Sequence, residues 1–213
     1  MKDPLLELCF RHEKFVWHFF LDDQKRLCCK NSPKEKKQWS APVILQDSYG
    51  GQFVIALRGG EHIHMAASDE ENIIRYHSYL EGTWNSSVVT EIHPLIEIND
   101  LSLSVDSKNR SHLIYCLRTG RKNGEWQINH SFWDDTTWHS SVLDSGVGTS
   151  EAKTSALVDA YDNIHVVYSA PNLDSCVLIH QTFDATTKSW KHQEEIPLLH
   201  RENQQPCGVF DKA

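Results

Sequence analysis

Residues 103–115 read LSVDSKNRSHLIY, and residues 156–168 read ALVDAYDNIHVVY. In both stretches an aspartate is followed six residues later by a histidine, then by two apolar residues and a tyrosine. Apolar runs on either side of a short polar segment are typical of two strands joined by a turn. The match therefore predicts that the chain repeats one β-sheet unit, on which the rest of the sequence can be aligned.

The same six-residue spacing occurs twice more upstream. Arg58 precedes His64 by six residues, and Arg11 precedes Trp17 by six. In each copy a second strand-like stretch follows and ends shortly before a tryptophan. The aligned tryptophans are Trp39, Trp84, Trp138 and Trp190. Histidines of the second stretch also align, and they are His77, His130 and His180.

Every copy reads as four short strands with turn-rich connections, and no amphipathic helix competes with this pattern. Four-stranded units in tandem bury their faces against one another, as the blades of a β-propeller do. We therefore predict one all-β propeller domain, residues 1–213, of four-stranded antiparallel blades at about 4–48, 49–96, 97–147 and 148–199. Val209-Phe210-Asp211 aligns with the first strand of a blade, so an extra strand at about 205–212 is predicted to begin a fifth.

Composition limits the function classes. The net charge of -8 argues against nucleic-acid binding, because a phosphate backbone is bound by a basic face. No segment approaches the roughly 20 apolar residues of a membrane span, and the start, MKDPLLELCF, is unlike a secretory signal. We therefore expect a cytoplasmic protein. The six cysteines lack paired C-x-x-C spacing, and we predict neither a metal nor another cofactor.

Two segments before aligned tryptophans carry a family resemblance. Residues 134–138, DDTTW, and residues 184–190, DATTKSW, resemble the Asp-box of sialidase-like (BNR-type) propellers, although both lack its serine and glycine. In that family the motif occupies the turn between the third and fourth strands of a blade, which is where both segments fall. The resemblance covers nearly the whole chain as repeat architecture and implies the propeller fold.

The resemblance also names an activity to be tested against the residues. Sialidases of this type use an arginine triad, a Tyr/Glu pair and an acidic Asp from several blades. Here the arginines occur singly and out of register, and no Tyr/Glu pair can be assigned. Glycoside hydrolysis needs two carboxyl groups at a set distance, and four blades give no closed ring to hold them. We therefore expect a non-enzymatic protein, with a glycoside hydrolase as the alternative.

Charged residues recur at the end of the first strand of each copy. They are Arg11, Arg58, Asp106 and Asp159, with Asp211 in the extra strand. One interpretation is a ring of charged groups that binds a polar ligand. The other is that the aspartates cap tight turns by accepting backbone N–H bonds.

Histidines and tryptophans offer further candidates. His64, His112 and His165 lie on second strands, one in each of three blades, a distribution that suits packing between blades better than a shared metal ion. The aligned tryptophans could stack on sugars, but their recurrence favours packing. Trp126 and Trp133 are off the repeat, which makes them the better candidates for aromatic ligand contacts.

The leading functional hypothesis is a binding or scaffolding module. An unpaired strand and open blade edges are templates for association, so we predict a homo-oligomer or completion by further blades of a longer chain. The ligand would be a protein or a glycan. A lectin-like carbohydrate-binding propeller is the second hypothesis.

Overall fold

The computed structural model describes residues 7–35, 38–119, 124–148, 150–172 and 175–197. Within these ranges the chain forms strands and turns, and none of it forms a helix long and apolar enough to cross a membrane. The chain divides into two compact units, Met1–Glu91 and Ile92–Ala213. The predicted extra strand at 205–212, with Asp211, lies outside the described residues, and the single-domain assignment stays a prediction.

The first unit contains two four-stranded antiparallel sheets. The strands of the first sheet are β1 (Glu7–His12), β2 (Phe15–Leu21), β3 (Leu27–Pro33) and β4 (Val43–Gln46). The strands of the second sheet are β5 (Phe53–Arg58), β6 (His62–Ser68), β7 (Ile73–Leu80) and β8 (Thr83–Glu91).

The second unit contains the third and fourth sheets. The strands of the third sheet are β9 (Ile96–Val105), β10 (Ser111–Thr119), β11 (Glu125–Trp133) and β12 (Trp138–Val147). The strands of the fourth sheet are β13 (Thr154–Val158), β14 (Ile164–Pro171), β15 (Cys176–Asp184), β16 (Ser189–Trp190) and β17 (Glu194–Ile196). Both β16 and β17 pair with β15, so the fourth strand of this sheet is divided into two segments.

All four sheets share one plan, in which each strand pairs antiparallel with the next along the chain. In the first three sheets the pairing of the third and fourth strands contains a register shift, which bends the outer strand. The predicted all-β fold of four-stranded blades is therefore confirmed for the four sheets of the described residues.

Aromatic rings join the two sheets of the first unit. Trp17 of β2 is 2% exposed. Tyr79 and Trp84 of the second sheet pack against it edge-on, with ring centroids 4.7 and 6.1 Å from that of Trp17. Tyr79 and Trp84 are directly opposite each other in the β7–β8 pair. We call these two residues the first clasp.

The second unit repeats this arrangement. Phe183 and Trp190 are opposite each other in the β15–β16 pair, and both ring centroids lie 5.0 Å from that of His130 in the third sheet. We call these two residues the second clasp. The two clasps occupy equivalent positions in the register. Tyr79 is opposite Ile63 and Phe183 is opposite Ile164, and both isoleucines lie one residue before the aligned histidine of their second strand.

A glycine makes room for a buried indole in the third sheet. Gly146 of β12 is directly opposite Trp126 of β11, and a Cβ on Gly146 would lie 2.7 Å from the indole ring. The indole is only 5% exposed, and its Nε1–H donates to the carbonyl of Pro171 at 2.7 Å. The ring therefore has little freedom to move away.

We predict that Gly146→Ala destabilises the protein, because the added methyl group must displace the Trp126 indole. Overpacking of this kind costs about 1–3 kcal/mol of the free energy of unfolding, measured by urea denaturation. The matched control is Gly59→Ala, since a Cβ at Gly59 meets no atom within 4 Å. Equal stability of the two variants would contradict the prediction.

Candidate functional site

Asp106 is fully buried in the turn between β9 and β10. Its Oδ1 accepts the N–H groups of Lys108 and Arg110 at 2.9 and 2.8 Å, and its Oδ2 accepts the Nε of Arg110 at 2.6 Å. Burial raises the pKa of this carboxyl, but hydrogen bonding with His112 and Arg110 outweighs burial and holds the pKa well below its usual range. The carboxylate is thus occupied by its own turn.

Asp159 forms the same turn between β13 and β14. Its Oδ1 accepts the N–H groups of Tyr161 and Asn163, and its Oδ2 accepts the amide of Asn163 at 2.9 Å. The left-handed residue comes three positions after the aspartate in both turns, at Asn109 and Asp162. The geometry is that of the turn-capping interpretation.

Arg11 and Arg58 end the first strands of the first unit, where their hairpins lack such an aspartate. Arg11 is exposed and Arg58 is half-buried. Lys14 and Glu61 of the same two hairpins form an ion pair at 3.4 Å. Burial, together with the positive charge of His62 and Arg58, lowers the pKa of His64 to about 4. The charged residues predicted at the ends of the first strands are therefore arginines in the first unit and turn-capping aspartates in the second.

Two histidine pairs lie at the same register positions of the third and fourth sheets. His112 and His130 stack with centroids 5.3 Å apart, and Nδ1 of His112 lies 3.1 Å from Nε2 of His130. His165 and His180 stack at the same 5.3 Å, with the equivalent nitrogens 3.0 Å apart. Burial, then the charge of His112, lowers the pKa of His130 well below its usual value.

The alignment of His77 with His130 and His180 is wrong. His130 and His180 are each opposite the residue that lies two positions after the aligned histidine of the second strand. In the second sheet the residue opposite that position is Tyr76. Tyr76 indeed hydrogen-bonds Nδ1 of His64 through its hydroxyl at 2.5 Å. His77 is one residue further along and lies on the opposite face, because side chains alternate along a strand.

The other aligned histidines are engaged in contacts with neighbouring side chains. Among the described residues no group of three or more His, Cys, Asp or Glu side chains is arranged to hold a metal ion. The histidines instead bond to rings and hydroxyls of their own sheets.

The two tryptophans predicted to lie off the repeat have different surroundings, and the prediction is wrong for Trp133, whose pairing with Trp138 has the register of the two clasps. Trp126 is a packing residue, buried against Gly146 and Pro171. Trp133 is half-buried at the end of β11, directly opposite Trp138, with the ring centroids 5.6 Å apart. The indoles of Trp133 and Trp138 therefore share one face of an exposed hairpin, residues 133–139, which we call the tryptophan hairpin.

Asp134 organises the turn of this hairpin. Asp134 Oδ1 accepts the N–H groups of Thr136 and Thr137 at 3.0 and 2.9 Å, and its Oδ2 bonds Nε2 of His139. The hydroxyl of Thr136, then the N–H of Thr137 and the ring of His139, hold the pKa of Asp134 well below its usual range. From the sequence Trp138 was assigned to packing with the other aligned tryptophans, although the four-residue DDTT turn would place it opposite Trp133.

A separate cavity of about 390 Å³ lies at the other end of the third sheet. Its side chains include Thr119, Glu125, Gln127 and Ser145, and its apolar residues include Leu117. Trp126 and Gly146 also line this cavity, together with Arg118. One of the residues singled out by sequence therefore borders the cavity, although Trp126 is only 5% exposed.

No family model matches the chain, and no curated protein matches it in sequence. Solved structures do resemble its fold. An ulvan lyase from a family of polysaccharide lyases has a TM-score of 0.61 at 11% identity, covering 90% of this chain and 55% of the lyase. A mutant of AofleA from Arthrobotrys oligospora has a TM-score of 0.54 at 12% identity, covering 87% of this chain and 54% of AofleA.

The chain thus spans about half the length of these two structures. At such identities the likeness shows the fold, which is β-propeller-like. An intramolecular trans-sialidase from Ruminococcus gnavus is also similar, at a TM-score of 0.41 and 14% identity over 82% of this chain and 41% of the sialidase. That score is too low to support a conclusion, and the Asp-box resemblance stays a prediction.

The Asp106 turn gives a test of the turn-capping interpretation. Because the folded pKa of Asp106 is lowered, its contribution to stability is present above the unfolded pKa of about 4 and is lost as the pH falls through the folded pKa. We predict that Asp106→Asn lowers the free energy of unfolding at neutral pH by about 2 kcal/mol. Thermal melts from about pH 3 to 7 should also show a weaker acid dependence for the variant.

The control for this measurement is Asp135→Asn, which makes the same charge change at an exposed turn residue. If Asp106→Asn matches the wild type at every pH while a polar ligand loses affinity, the ligand-ring interpretation is correct and turn capping is not.

Proposed function

We propose that the chain is a non-enzymatic binding module whose ligand is a saccharide, bound at the tryptophan hairpin of the third sheet. The observation that carries the proposal is the pair of indoles, Trp133 and Trp138, 5.6 Å apart on one face of an exposed hairpin. Of the six residues singled out by sequence, Trp133 combines an aromatic surface with a place outside the core.

The chemistry of this hairpin suits a sugar ring. A pyranose presents apolar C–H faces and a rim of hydroxyl groups, so its binding sites combine aromatic surface with a few oriented polar groups. The indoles of Trp133 and Trp138 supply the surface. The hydroxyls of Thr136 and Thr137 lie in the turn next to the indoles and supply hydrogen-bonding groups, whereas His139 is opposite Phe132 and lies on the other face of the hairpin.

The fold comparison supports a saccharide as the ligand, although the proposal does not depend on it. The ulvan lyase, whose fold this chain resembles, was also solved bound to a unit of glucuronic acid and sulfated rhamnose. A fold hosts many functions, so the argument depends on the hairpin itself.

The aspartates of the described hairpins support a non-enzymatic role. A glycoside hydrolase needs one carboxylic acid whose pKa is raised, so that it is protonated near neutral pH. Hydrogen bonds within the turns have the reverse effect here. The N–H of Thr187, the side chain of Lys191 and the N–H of Thr186 lower the pKa of Asp184 to about 2, and Asp106, Asp134 and Asp159 shift in the same direction.

The expected outcome is that the wild-type chain binds a subset of saccharides on a glycan array, and that Trp133→Ala weakens the best of them at least tenfold in solution titration. The indole face is lost, while the core of the third sheet is unchanged. Tyr161→Ala is the matched control, because Tyr161 is an aromatic residue of the same unit that is 83% exposed on a turn of another sheet.

Three results would count against the proposal. Absence of saccharide binding by the wild type would remove the ligand class. Loss of binding in Gln127→Ala with none in Trp133→Ala would move the site to the cavity. Turnover of a fluorogenic glycoside by the wild type, abolished by one acidic substitution, would favour the hydrolase alternative. The predicted self-association concerns other surfaces of the chain.

A further inference from the structure

The two clasps give each sheet a direction. In both units the later sheet supplies the clasp from its third and fourth strands. The earlier sheet receives it on Trp17 of the second strand in the first unit, and on His112 of the second strand and His130 of the third in the second unit. A sheet therefore has a supplying face and a receiving face. The receiving face of the third sheet contains His112, Ile114, Ile128 and His130, all at most 3% exposed.

The receiving face of the fourth sheet has the same register but is more exposed. His165, Val167, Leu178 and His180 are the equivalents of the four residues of the third sheet. All four are half-buried, and the side chains of His165 and His180 are 22% and 26% exposed. The fourth sheet thus presents to solvent a surface that its neighbour in the same unit buries under Phe183 and Trp190.

The supplying face of the first sheet is also partly exposed. Trp39, which aligns with the clasp tryptophans Trp84 and Trp190, is 41% exposed. Its ring centroid lies 5.8 Å from that of His18, and Nζ of Lys30 lies 5.2 Å from its centroid. Val16 and Ser32 of the first sheet are the register equivalents of Ile63 and Tyr79. His18 and Lys30 lie two residues from Val16 and Ser32, so their side chains project from the same face, which corresponds to the face of the second sheet that carries the first clasp.

Charge distinguishes the two faces in a complementary way. Nζ of Lys30 lies over the Trp39 ring on the supplying face of the first sheet, where the carboxylate of Glu7 is paired with His18 at 2.9 Å. Glu194 is opposite His180 on the receiving face of the fourth sheet, and its carboxylate, 78% exposed, lies 3.7 Å from Nδ1 of His180. The opposite charges of Lys30 and Glu194 attract each other and favour pairing of unlike faces.

We propose that the supplying face of the first sheet docks on the receiving face of the fourth sheet of a second copy of this chain. Trp39 of one copy then covers His165 and His180 of the other, as Trp190 covers His130 within the chain, and Lys30 faces Glu194. The contact is head-to-tail, so two different surfaces meet and the assembly can grow or close into a ring. This interface is separate from the tryptophan hairpin.

Sedimentation velocity over the micromolar range tests the proposal on the full chain. The expected result is a particle of at least two chains whose mass rises with concentration, and Trp39→Ala should sediment as one chain. Trp133→Ala is the control, since it should lose saccharide binding and keep its association. Trp39→Ala should do the reverse, so failure of one proposal leaves the other distinguishable.

Exchange of the charges tests the head-to-tail geometry. Lys30→Glu alone and Glu194→Lys alone should each weaken association at least tenfold, and an equimolar mixture of the two variants should restore it. Circular dichroism and thermal melts establish that each variant is folded. A wild type that sediments as one chain, a folded Trp39→Ala that associates like the wild type, or a mixture without recovery would each overturn the proposal.

Discussion

The packing of rings between consecutive sheets is the interaction on which each unit depends. A four-stranded sheet cannot bury both faces alone, so it is stabilised by the neighbour that covers it. In the first unit Tyr79 and Trp84 cover Trp17, and in the second unit Phe183 and Trp190 cover His130. The register equivalent of Trp17 in the third sheet is His112, whose ring centroid lies 5.8 Å from that of Phe183. The same position therefore receives the clasp in both units, although it holds an indole in one and an imidazole in the other.

This dependence explains why the fold could be predicted from the sequence. The six-residue spacing that relates Arg11 to Trp17 and Asp106 to His112 joins the end of a first strand to the covered position of the second. A spacing survives substitution of the residues at either end, so it identified the repeat where residue identity did not. Strand pairing and the plan of the four sheets follow from it.

Side-chain direction was harder to predict, because an error of one residue moves a side chain to the other face of a sheet. His77 was aligned by its chemical identity, but Tyr76 has the register of His130. Trp126 shows a second limit. Its position off the repeat suggested a surface residue, whereas Gly146 opposite it leaves space for a buried indole. Neither relation can be derived before the strand pairs are known.

In the candidate site, too, some features follow from the local sequence and others depend on strand pairing. Turn capping by Asp106 and Asp159 was one of two interpretations open from the sequence, since an aspartate bonds the N–H groups of its own turn. Trp133 became a site residue only with its partner Trp138, which the length of the intervening turn places opposite it.

Among the described residues, the first and fourth sheets each have one face that takes part in no clasp of their own unit. Here Trp39 is 41% exposed on the first sheet, and Val167 and Leu178 are half-buried on the last. The equivalents of Val167 and Leu178 in the third sheet, Ile114 and Ile128, are fully buried. Because one face carries an exposed ring with a lysine and the other carries half-buried rings with a glutamate, a surface of each kind is satisfied better by the other than by a copy of itself.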